Sequence, residues 1–488
     1  MKRINKKGLS IVFVTILAMI LVGKAVSSDF VKIPRPDGAD TIDVLAINNN
    51  GQVVGFYATS SDDGMFISAI AFKWVDGEMI TLPLPEGKNV CHAFDINEDG
   101  DVVGYCYYMS EEGWFEDFIP FLWTEEGVSD LSEKVGSGST AIGINNLGHI
   151  VGDIFTDYGQ RAYFLMEEEL TELGILWECE DPYSCGSVAY AVNYNDKVVG
   201  FSWKWTETEG FISRAFTWTQ SEEKINLGVL PGYELSQGFG INDNGDVIGV
   251  CGNLVCDEFG VCWAGNAKAF LFTNETGMTQ LGMLSGKNVS MAYGINNQGI
   301  IVGANAYETE ENILEDETAV VWKPEPVALS EITGEPGLLK ASDINDSGQI
   351  IGTAFSQDLG QYAFLWTPEI KVREVQIDIK PGGEPNCINK AGYGFIPVAV
   401  FGAADFDVAN INLESLKLQD VLEIGAVGKQ GVLLAHLEDV NGDGHEDLIA
   451  KFANMEGIFS DEDTTGILTG SLNDGTPIKG MDSICIVP

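Results

Sequence analysis

Apolar and polar positions follow the same order in seven successive segments of the chain. In each segment an alternating apolar stretch ends at an asparagine, an Asn-x-x-Gly turn follows, and a Val/Ile-rich run reaches a second glycine seven positions after the asparagine. A period of two on both sides of a tight turn predicts two antiparallel strands. The repeated asparagines are Asn48, Asn97, Asn145, Asn193, Asn242, Asn296 and Asn345.

The two turn residues have separate physical reasons. An asparagine side chain can bond its own backbone at the entry of the turn, and glycine accepts the left-handed conformation that closes it. In the fourth segment Asp196 replaces this glycine. Aspartate is one of the few residues that tolerate a positive φ, so the exception agrees with the prediction.

Two further strands complete each repeat. The third ends in aromatic residues, as in AFKW and AFLW, which indicates packing, and a fourth such as MITLP follows in six repeats. The last repeat lacks a fourth strand, whereas FVKIPRPDG near the N-terminus matches the fourth strand of the first repeat, ITLPLPEG. This pattern predicts an all-β fold containing a seven-bladed β-propeller closed by an N-terminal strand. A β-solenoid fits less well because its coils are shorter, and IKVREV after the last repeat is the alternative closing strand.

The tripeptides RAF, KAF and YAF before the end of the third strand resemble the extracellular HAF-repeat family over residues 30–368. The histidine of the family name is absent from every copy. The resemblance implies an extracytoplasmic location and implies no particular reaction.

The first 28 residues have the charged, apolar and small-residue order of a cleaved signal peptide. A membrane anchor is the alternative, but the apolar core is shorter than the roughly 20 residues of a spanning helix. We therefore expect a secreted or cell-surface protein, monomeric, with no membrane span in the mature chain. The formal charge of −46 argues against a nucleic-acid partner, because phosphates would be repelled.

Nine cysteines in an exported chain indicate disulfides. We predict the pairs Cys91–Cys106 across one hairpin, Cys179–Cys185 around a short loop, and Cys387–Cys485 at the ends of the last domain. Cys251, Cys256 and Cys262 share one insertion, so two of them can pair and one stays free. A metal cluster is the competing interpretation, but no histidine lies near by in the sequence and the spacing matches no common zinc pattern.

The connections between the second and third strands vary in length and should gather on one face of the predicted propeller. Variable loops on a rigid scaffold are where binding usually resides, and exposed tryptophans can stack on sugars or anchor a protein. We predict that this face binds a glycan or an extracellular protein, although each aromatic side chain could instead cover its own loop. The candidate ligand-binding residues are Trp114, Phe115, Trp177, Trp203, Trp205 and Trp263.

Residues 371–488 follow residues 29–370 as a separate domain, predicted to be a small β-sandwich because apolar alternation continues between glycine-rich turns without the repeat. The segment resembles a module that often ends secreted prokaryotic proteins. Its DVNGDGHEDL motif has oxygen-bearing residues in the register of a calcium loop, and Ala450 stands where an EF-hand has its glutamate. We predict one structural calcium ion, against the alternative of a merely acidic turn. The ligands would be Asp439, Asn441, Asp443, the His445 carbonyl and Asp447.

Catalytic motifs are weak in this chain. None of the four histidines, His92, His149, His436 and His445, has a serine or cysteine nucleophile at a recognisable spacing. A non-catalytic binding or adhesion protein is therefore the leading hypothesis. The alternatives are a polysaccharide-degrading enzyme, a glycoside hydrolase or lyase with carboxylates converging at the propeller axis, and an envelope protein bridged by calcium.

Overall fold

The computed structural model describes residues 29–60, 66–110, 115–179, 181–206, 210–256, 262–309, 313–369, 372–392, 394–419, 421–427, 432–455, 457–460, 462–473 and 476–487. The predicted signal segment, residues 1–28, lies outside them. Two compact units are formed by Ser28–Pro368 and Glu369–Pro488.

Ser28–Pro368 consists of antiparallel four-stranded units, one for each repeat. In the described residues five of them are separate sheets, and two share an eight-stranded sheet through one parallel pairing of Ala69 with Val90. The strands of the N-terminal half are β1 (Asp29–Ile33), β2 (Thr41–Ile47), β3 (Val53–Ser60), β4 (Phe66–Val75), β5 (Glu78–Thr81), β6 (Val90–Ile96), β7 (Val102–Met109), β8 (Phe115–Thr124), β9 (Gly127–Asp130), β10 (Thr140–Ile144), β11 (Ile150–Thr156), β12 (Gly159–Met166) and β13 (Glu169–Gly174).

The C-terminal half of this unit continues with the same order. Its strands are β14 (Cys185–Val192), β15 (Val198–Thr206), β16 (Gly210–Thr219), β17 (Glu222–Asn226), β18 (Leu235–Ile241), β19 (Val247–Cys256), β20 (Cys262–Thr273), β21 (Gly277–Gln280), β22 (Val289–Ile295), β23 (Ile301–Glu308), β24 (Leu314–Trp322), β25 (Pro326–Ala328), β26 (Leu338–Ile344), β27 (Ile350–Ser356) and β28 (Gly360–Thr367). Short helices α1 (Ser132–Val135) and α2 (Leu329–Thr333) and a 3₁₀ turn, Pro182–Ser184, lie between repeats.

The N-terminal strand completes the last repeat. β1 pairs antiparallel with β28, with Phe30 opposite Trp366, and the resulting sheet has the order β1-β28-β27-β26. This confirms the pairing predicted from FVKIPRPDG. The alternative closing segment goes elsewhere, since Arg373 pairs with Ile478 in the second unit.

Buried asparagines connect each repeat to the next. The Asn48 carboxamide oxygen accepts the N–H groups of Asn50 and Gln52 at 3.1 and 3.0 Å, which fixes the turn. Its Nδ2 donates to the carbonyl of Asn97 at 2.9 Å, and each later repeat asparagine donates to the following one in the same way. Asn345 donates back to Asn48, so the series of hydrogen bonds is closed.

The two glycines of the repeat motif are required for different reasons. The second glycine of each repeat lies opposite a β-bulge, and a Cβ on Gly200 would lie 2.0 Å from the Val188 carbonyl oxygen. The turn glycines instead have positive φ, and Asp196 adopts φ of 57° in their place, as predicted. Two separate constraints therefore explain the two glycines of the motif.

The core of this unit lies between neighbouring sheets. Phe72, Phe164, Phe216 and Phe364 of the third strands are fully buried, as their positions predicted. Residues of the first and last repeats share one cluster, which includes Ile42, Phe72, Ile351 and Ala363. Apolar packing thus joins the ends of the repeat series, in addition to hydrogen bonds.

Glu369–Pro488 has two main sheets, ordered β29-β40-β39-β33-β34 and β30-β32-β38-β37, whose buried residues form one hydrophobic cluster. A 3₁₀ turn covers Val408–Asn410. The strands are β29 (Arg373–Glu374), β30 (Ile377–Ile379), β31 (Cys387–Asn389), β32 (Phe395–Val400), β33 (Ile411–Leu418), β34 (Leu422–Glu423), β35 (Ala426–Val427), β36 (Val432–Leu433), β37 (Ala435–Glu438), β38 (Asp447–Ala453), β39 (Thr465–Leu472), β40 (Pro477–Ser483) and β41 (Cys485–Val487).

All three predicted disulfides are present. Cys251 is a free, buried thiol whose pKa is raised to about 11, chiefly by burial. Cys256 and Cys262 are opposite each other in the β19–β20 register, and their side chains lie outside the described residues. Among the helices in the described part of the chain, none is long and apolar enough to cross a membrane.

Candidate functional site

Two ends of the repeat unit can be distinguished from strand direction. The first strand of every repeat runs toward the asparagine turns, which therefore share one end, the asparagine face. The hairpins between second and third strands lie at the opposite end, the hairpin face. The predicted ligand-binding residues all belong to the hairpin face, and Trp177 lies there in the connection between β13 and β14.

The tryptophan segments are strands and not the irregular loops that the sequence indicated. Trp203 and Trp205 lie on β15, Phe115 begins β8, and Trp263 lies on β20. The hairpins extend the regular pairing, because Trp205 is in register with Phe211. Trp114 and the side chains of Phe115 and Trp263 lie outside the described residues.

Trp203 and Trp205 have different surroundings. Trp203 is half-buried, its indole stacks on Phe211 at 6.0 Å, and its Nε1 donates to Gln160 of the preceding repeat at 3.1 Å. Trp205 is 52% exposed. Trp177 is half-buried, with the Lys204 ammonium 5.5 Å from its ring centroid. Of these three, Trp205 has the aromatic surface available for a ligand.

Exposed aromatic side chains recur at the hairpin ends, and sequence reasoning missed most of them. They occur on five repeats, within eight positions of the second repeat glycine. Their offsets from that glycine partly repeat, since Phe155 and Phe355 are its third neighbour. The exposed set is Tyr108, Phe155, Tyr158, Trp205, Tyr307 and Phe355.

A series of side-chain hydrogen bonds connects Trp203 of the hairpin face to Asp153 and Thr140 of the third repeat. Gln160, which accepts from Trp203, donates to Asp153 at 2.9 Å, and Thr140 donates to the other Asp153 oxygen. Burial raises the pKa of Asp153, and these two hydrogen bonds oppose the rise. The carboxylate is thus held by neutral donors.

The centre of the unit contains a cavity of about 480 Å³. In the first strand of each repeat a β-bulge occurs three positions before the asparagine. A bulge leaves one residue unpaired and redirects its side chain. All seven bulged residues line the cavity: Leu45, Phe94, Ile142, Tyr190, Phe239, Tyr293 and Ser342.

Two carboxylates also line this cavity. Asp95 accepts the N–H groups of Ile96 and Ile144, both at 2.9 Å, and Asp343 accepts those of Ile344 and Ile47 at 2.8 and 3.0 Å. Burial raises the pKa of each to about 7, and the backbone donors oppose the rise. The charge of Asp95 raises the pKa of Asp343 further.

Histidines do not form a recognisable nucleophile site in the described residues. Burial lowers the pKa of His92 to about 4, its ring lies 4.2 Å from that of Phe56, and its Nε2 has no hydrogen-bond partner in the described structure. His149 Nδ1 lies 2.7 Å from Asp196 at the asparagine turns. His92 is therefore a neutral member of an aromatic cluster.

The predicted calcium loop connects β37 to β38. Asp439, Asn441 and Asp443 are exposed, and their side-chain oxygens accept N–H groups of the same loop. Asp447 is buried, and its two oxygens accept from Gly402 and Val440, both at 2.9 Å. No cluster of three acidic, histidine or cysteine side chains suited to a metal occurs in the described residues. The exposed oxygens suit a hard cation, whereas Asp447 already has backbone donors.

No protein-family model and no curated protein matches the chain. A fungal alcohol oxidase in complex with copper is similar at 10% identity and TM-score 0.41, over 94% of this chain and 98% of that one. The β-propeller domain of the Trilobed protease from Pyrococcus furiosus is similar at 8% identity and TM-score 0.42, over 67% and 94%. An ulvan lyase, a polysaccharide lyase, is similar at 11% identity and TM-score 0.37, over 70% and 95%. Similarity at this level carries no argument about function.

Proposed function

We propose that the chain is an extracellular, non-catalytic binding protein with a seven-bladed β-propeller followed by a β-sandwich. The closed series of asparagine hydrogen bonds and the pairing of β1 with β28 support the propeller. The single core shared by two sheets supports the sandwich. The HAF-type repeats, the signal-like leader and the three disulfides support an extracellular location.

The hairpin face is the binding surface in this proposal. The observation that carries it is the set of exposed aromatic side chains on five separate repeats, of which Trp205 is the largest. Aromatic faces stack on sugar rings, and rings distributed over several hairpins suit an extended ligand. The formal charge of −46 repels anionic polymers. We therefore propose an uncharged glycan as the ligand, with a basic extracellular protein as the second possibility to be tested.

Glycan-array binding of the mature chain, residues 29–488, tests this assignment. Trp205→Ala should weaken binding about tenfold, the loss of one stacking contact. Tyr194→Ala is the matched control, because Tyr194 is equally exposed but belongs to the asparagine face. Absence of glycan binding, or equal effects of the two substitutions, would remove the glycan proposal. Binding only in a pull-down with basic proteins would favour the second possibility.

We also propose one structural calcium ion in the DVNGDGHEDL loop. Asp439, Asn441 and Asp443 would supply side-chain oxygens and His445 its carbonyl. Asp447 would hold the start of the loop by accepting the Val440 N–H. A calcium ion would offset the negative charge gathered there. Thermal unfolding with calcium and with a chelator tests this. Identical unfolding in the two conditions would contradict it.

A further inference from the structure

The central cavity combines aromatic walls with two carboxylates, and the proposed hairpin-face function uses neither. Its volume of about 480 Å³ lies within the range of small-molecule sites. Four of its seven bulged residues are aromatic: Phe94, Tyr190, Phe239 and Tyr293. Tyr190 and Phe239 meet edge to face at 5.4 Å, so part of the wall is a packed aromatic surface.

Carboxylates occur at one repeat position in only two of the seven repeats. The residue two before the asparagine is Asp95 in the second repeat and Asp343 in the last, and alanine or glycine in the other five. The first repeat, which lies between these two around the ring, has Ala46 there, and Ala46 also lines the cavity. No third carboxylate occurs at this position between the two acidic side chains.

These carboxylates have neutral partners. Every hydrogen bond described for Asp95 and Asp343 comes from a backbone N–H group. Lys340 also lines the cavity, but its ammonium binds both oxygens of Asp43, at 3.0 and 2.9 Å. Among the described residues, neither acidic group of the cavity wall has a cationic partner of its own.

The contacts of Lys340 show how the cavity wall holds an ammonium group. Its ammonium lies 5.8 Å from the ring centroid of Tyr293 while it pairs with Asp43. An ammonium held between a carboxylate and an aromatic face gains from both the charge and the ring quadrupole. Other carboxylates and rings of these kinds, Asp95 and Phe94 among them, line the same cavity.

We propose that the central cavity binds a small organic cation, a molecule with an ammonium group that lies at Asp95 and Asp343 and an apolar body that packs against the aromatic wall. A divalent metal fits less well, because calcium takes six to eight oxygen ligands and this wall is largely aromatic. The site is separate from the hairpin aromatics, so either proposal can fail without the other.

Benzylammonium and benzyl alcohol are matched probes, since they differ in charge and share the ring. Titration of the mature chain, followed by ligand-detected NMR, should show benzylammonium binding at least about tenfold more tightly than benzyl alcohol. Asp95→Asn with Asp343→Asn should abolish this preference, because each amide lacks the charge while its oxygen still accepts one of the two backbone N–H groups. Trp205→Ala should leave it unchanged.

The dependence on pH provides a second test with the unchanged protein. Benzylammonium affinity should fall at least about tenfold between about pH 8.5 and about pH 5.5, as Asp95 and Asp343 gain protons. Over that range His92 stays neutral, and the buried Tyr190 and Tyr293 stay protonated.

Three outcomes would overturn the assignment. They are equal binding of the charged and neutral probes, an affinity independent of pH, and no binding of benzylammonium at concentrations of about 10 mM. A fourth outcome would also overturn it: calcium displacing benzylammonium from the wild type, but not from the doubly amidated variant, would show a metal site instead.

Discussion

Asn345 donates its Nδ2 hydrogen to the Asn48 carbonyl at 2.9 Å, across 297 positions of sequence. Both residues also stabilise their own turns. The Asn48 side-chain oxygen accepts two backbone N–H groups of its turn, and the Asn345 side-chain oxygen accepts one. One residue type therefore fixes the local turn and links the last repeat to the first. The same hydrogen bond, from asparagine Nδ2 to the next asparagine carbonyl, occurs between all neighbouring repeats. The Asn345–Asn48 bond differs only in joining the last repeat to the first.

Replacing Asn345 with alanine should lower the free energy of unfolding by about 2 kcal/mol, because the Asn48 carbonyl loses a donor and the Gln349 backbone N–H loses its acceptor. Asn244→Ala is the control: Asn244 also donates to the next repeat, at the Asn297 carbonyl, but the bond is exposed. That substitution should cost less than about 1 kcal/mol. Equal costs in urea unfolding would contradict the role of burial.

Gly200→Ala should be among the most damaging single changes, costing more than about 4 kcal/mol, since the new Cβ meets the Val188 carbonyl at 2.0 Å. Gly277 has φ of 68° and open space around its Cβ position. Gly277→Ala should therefore cost only about 1 kcal/mol. Soluble yield and urea midpoints measure both effects, and similar values would show that the close contact with Val188 does not explain the repeat glycine.

Trp203→Ala should destabilise the protein by about 3 kcal/mol, because the indole is half-buried, stacked and hydrogen-bonded to Gln160. Trp205→Ala should change stability by less than about 0.5 kcal/mol, since the side chain is largely exposed. Thermal unfolding of both variants distinguishes a packing residue from a surface residue two positions away. A large loss for Trp205→Ala would weaken its assignment to binding.

Stability should fall as the pH rises from about 4 to about 7 through the contribution of Asp95 and Asp343. Their pKa values in the folded protein are raised, so the folded state holds protons that the unfolded chain has already released, and deprotonation costs free energy. Asp95→Asn should remove part of this loss and gain about 2 kcal/mol over wild type at about pH 8. At about pH 4 this gain should be absent and the variant should be the less stable protein, because its amide keeps only one of the two backbone hydrogen bonds of Asp95. A difference independent of pH would contradict the shifted pKa.

Asp443→Ala and Asp447→Ala should respond differently to calcium. Asp443 is exposed, so its loss should lower the unfolding temperature in calcium and have little effect in a chelator. Asp447 anchors Gly402 and Val440, so its loss should lower the unfolding temperature in both conditions. Differential scanning calorimetry with and without a chelator measures this, and a calcium-independent effect of Asp443→Ala would argue against the ion.

The sequence alone was sufficient for the features that depend on neighbouring residues. Turn conformation at Asn-x-x-Gly, the burial of the third-strand aromatics and the Cys91–Cys106 pair all follow from local geometry and from a hairpin register that the repeat makes visible. The fourth strand of the last repeat could also be predicted, because β1 retains the residue pattern of its equivalents.

The tertiary structure decided which side chains face the axis and which face solvent. Trp203 and Trp205 lie on the same side of β15, and only Trp203 is reached by Gln160 of the preceding hairpin, so alternation could not separate them. Asp95 and Asp343 look like surface acids in sequence. Both line one cavity because a β-bulge redirects the first strand of each repeat and because the last repeat packs next to the first. Both effects depend on contacts between residues far apart in the chain.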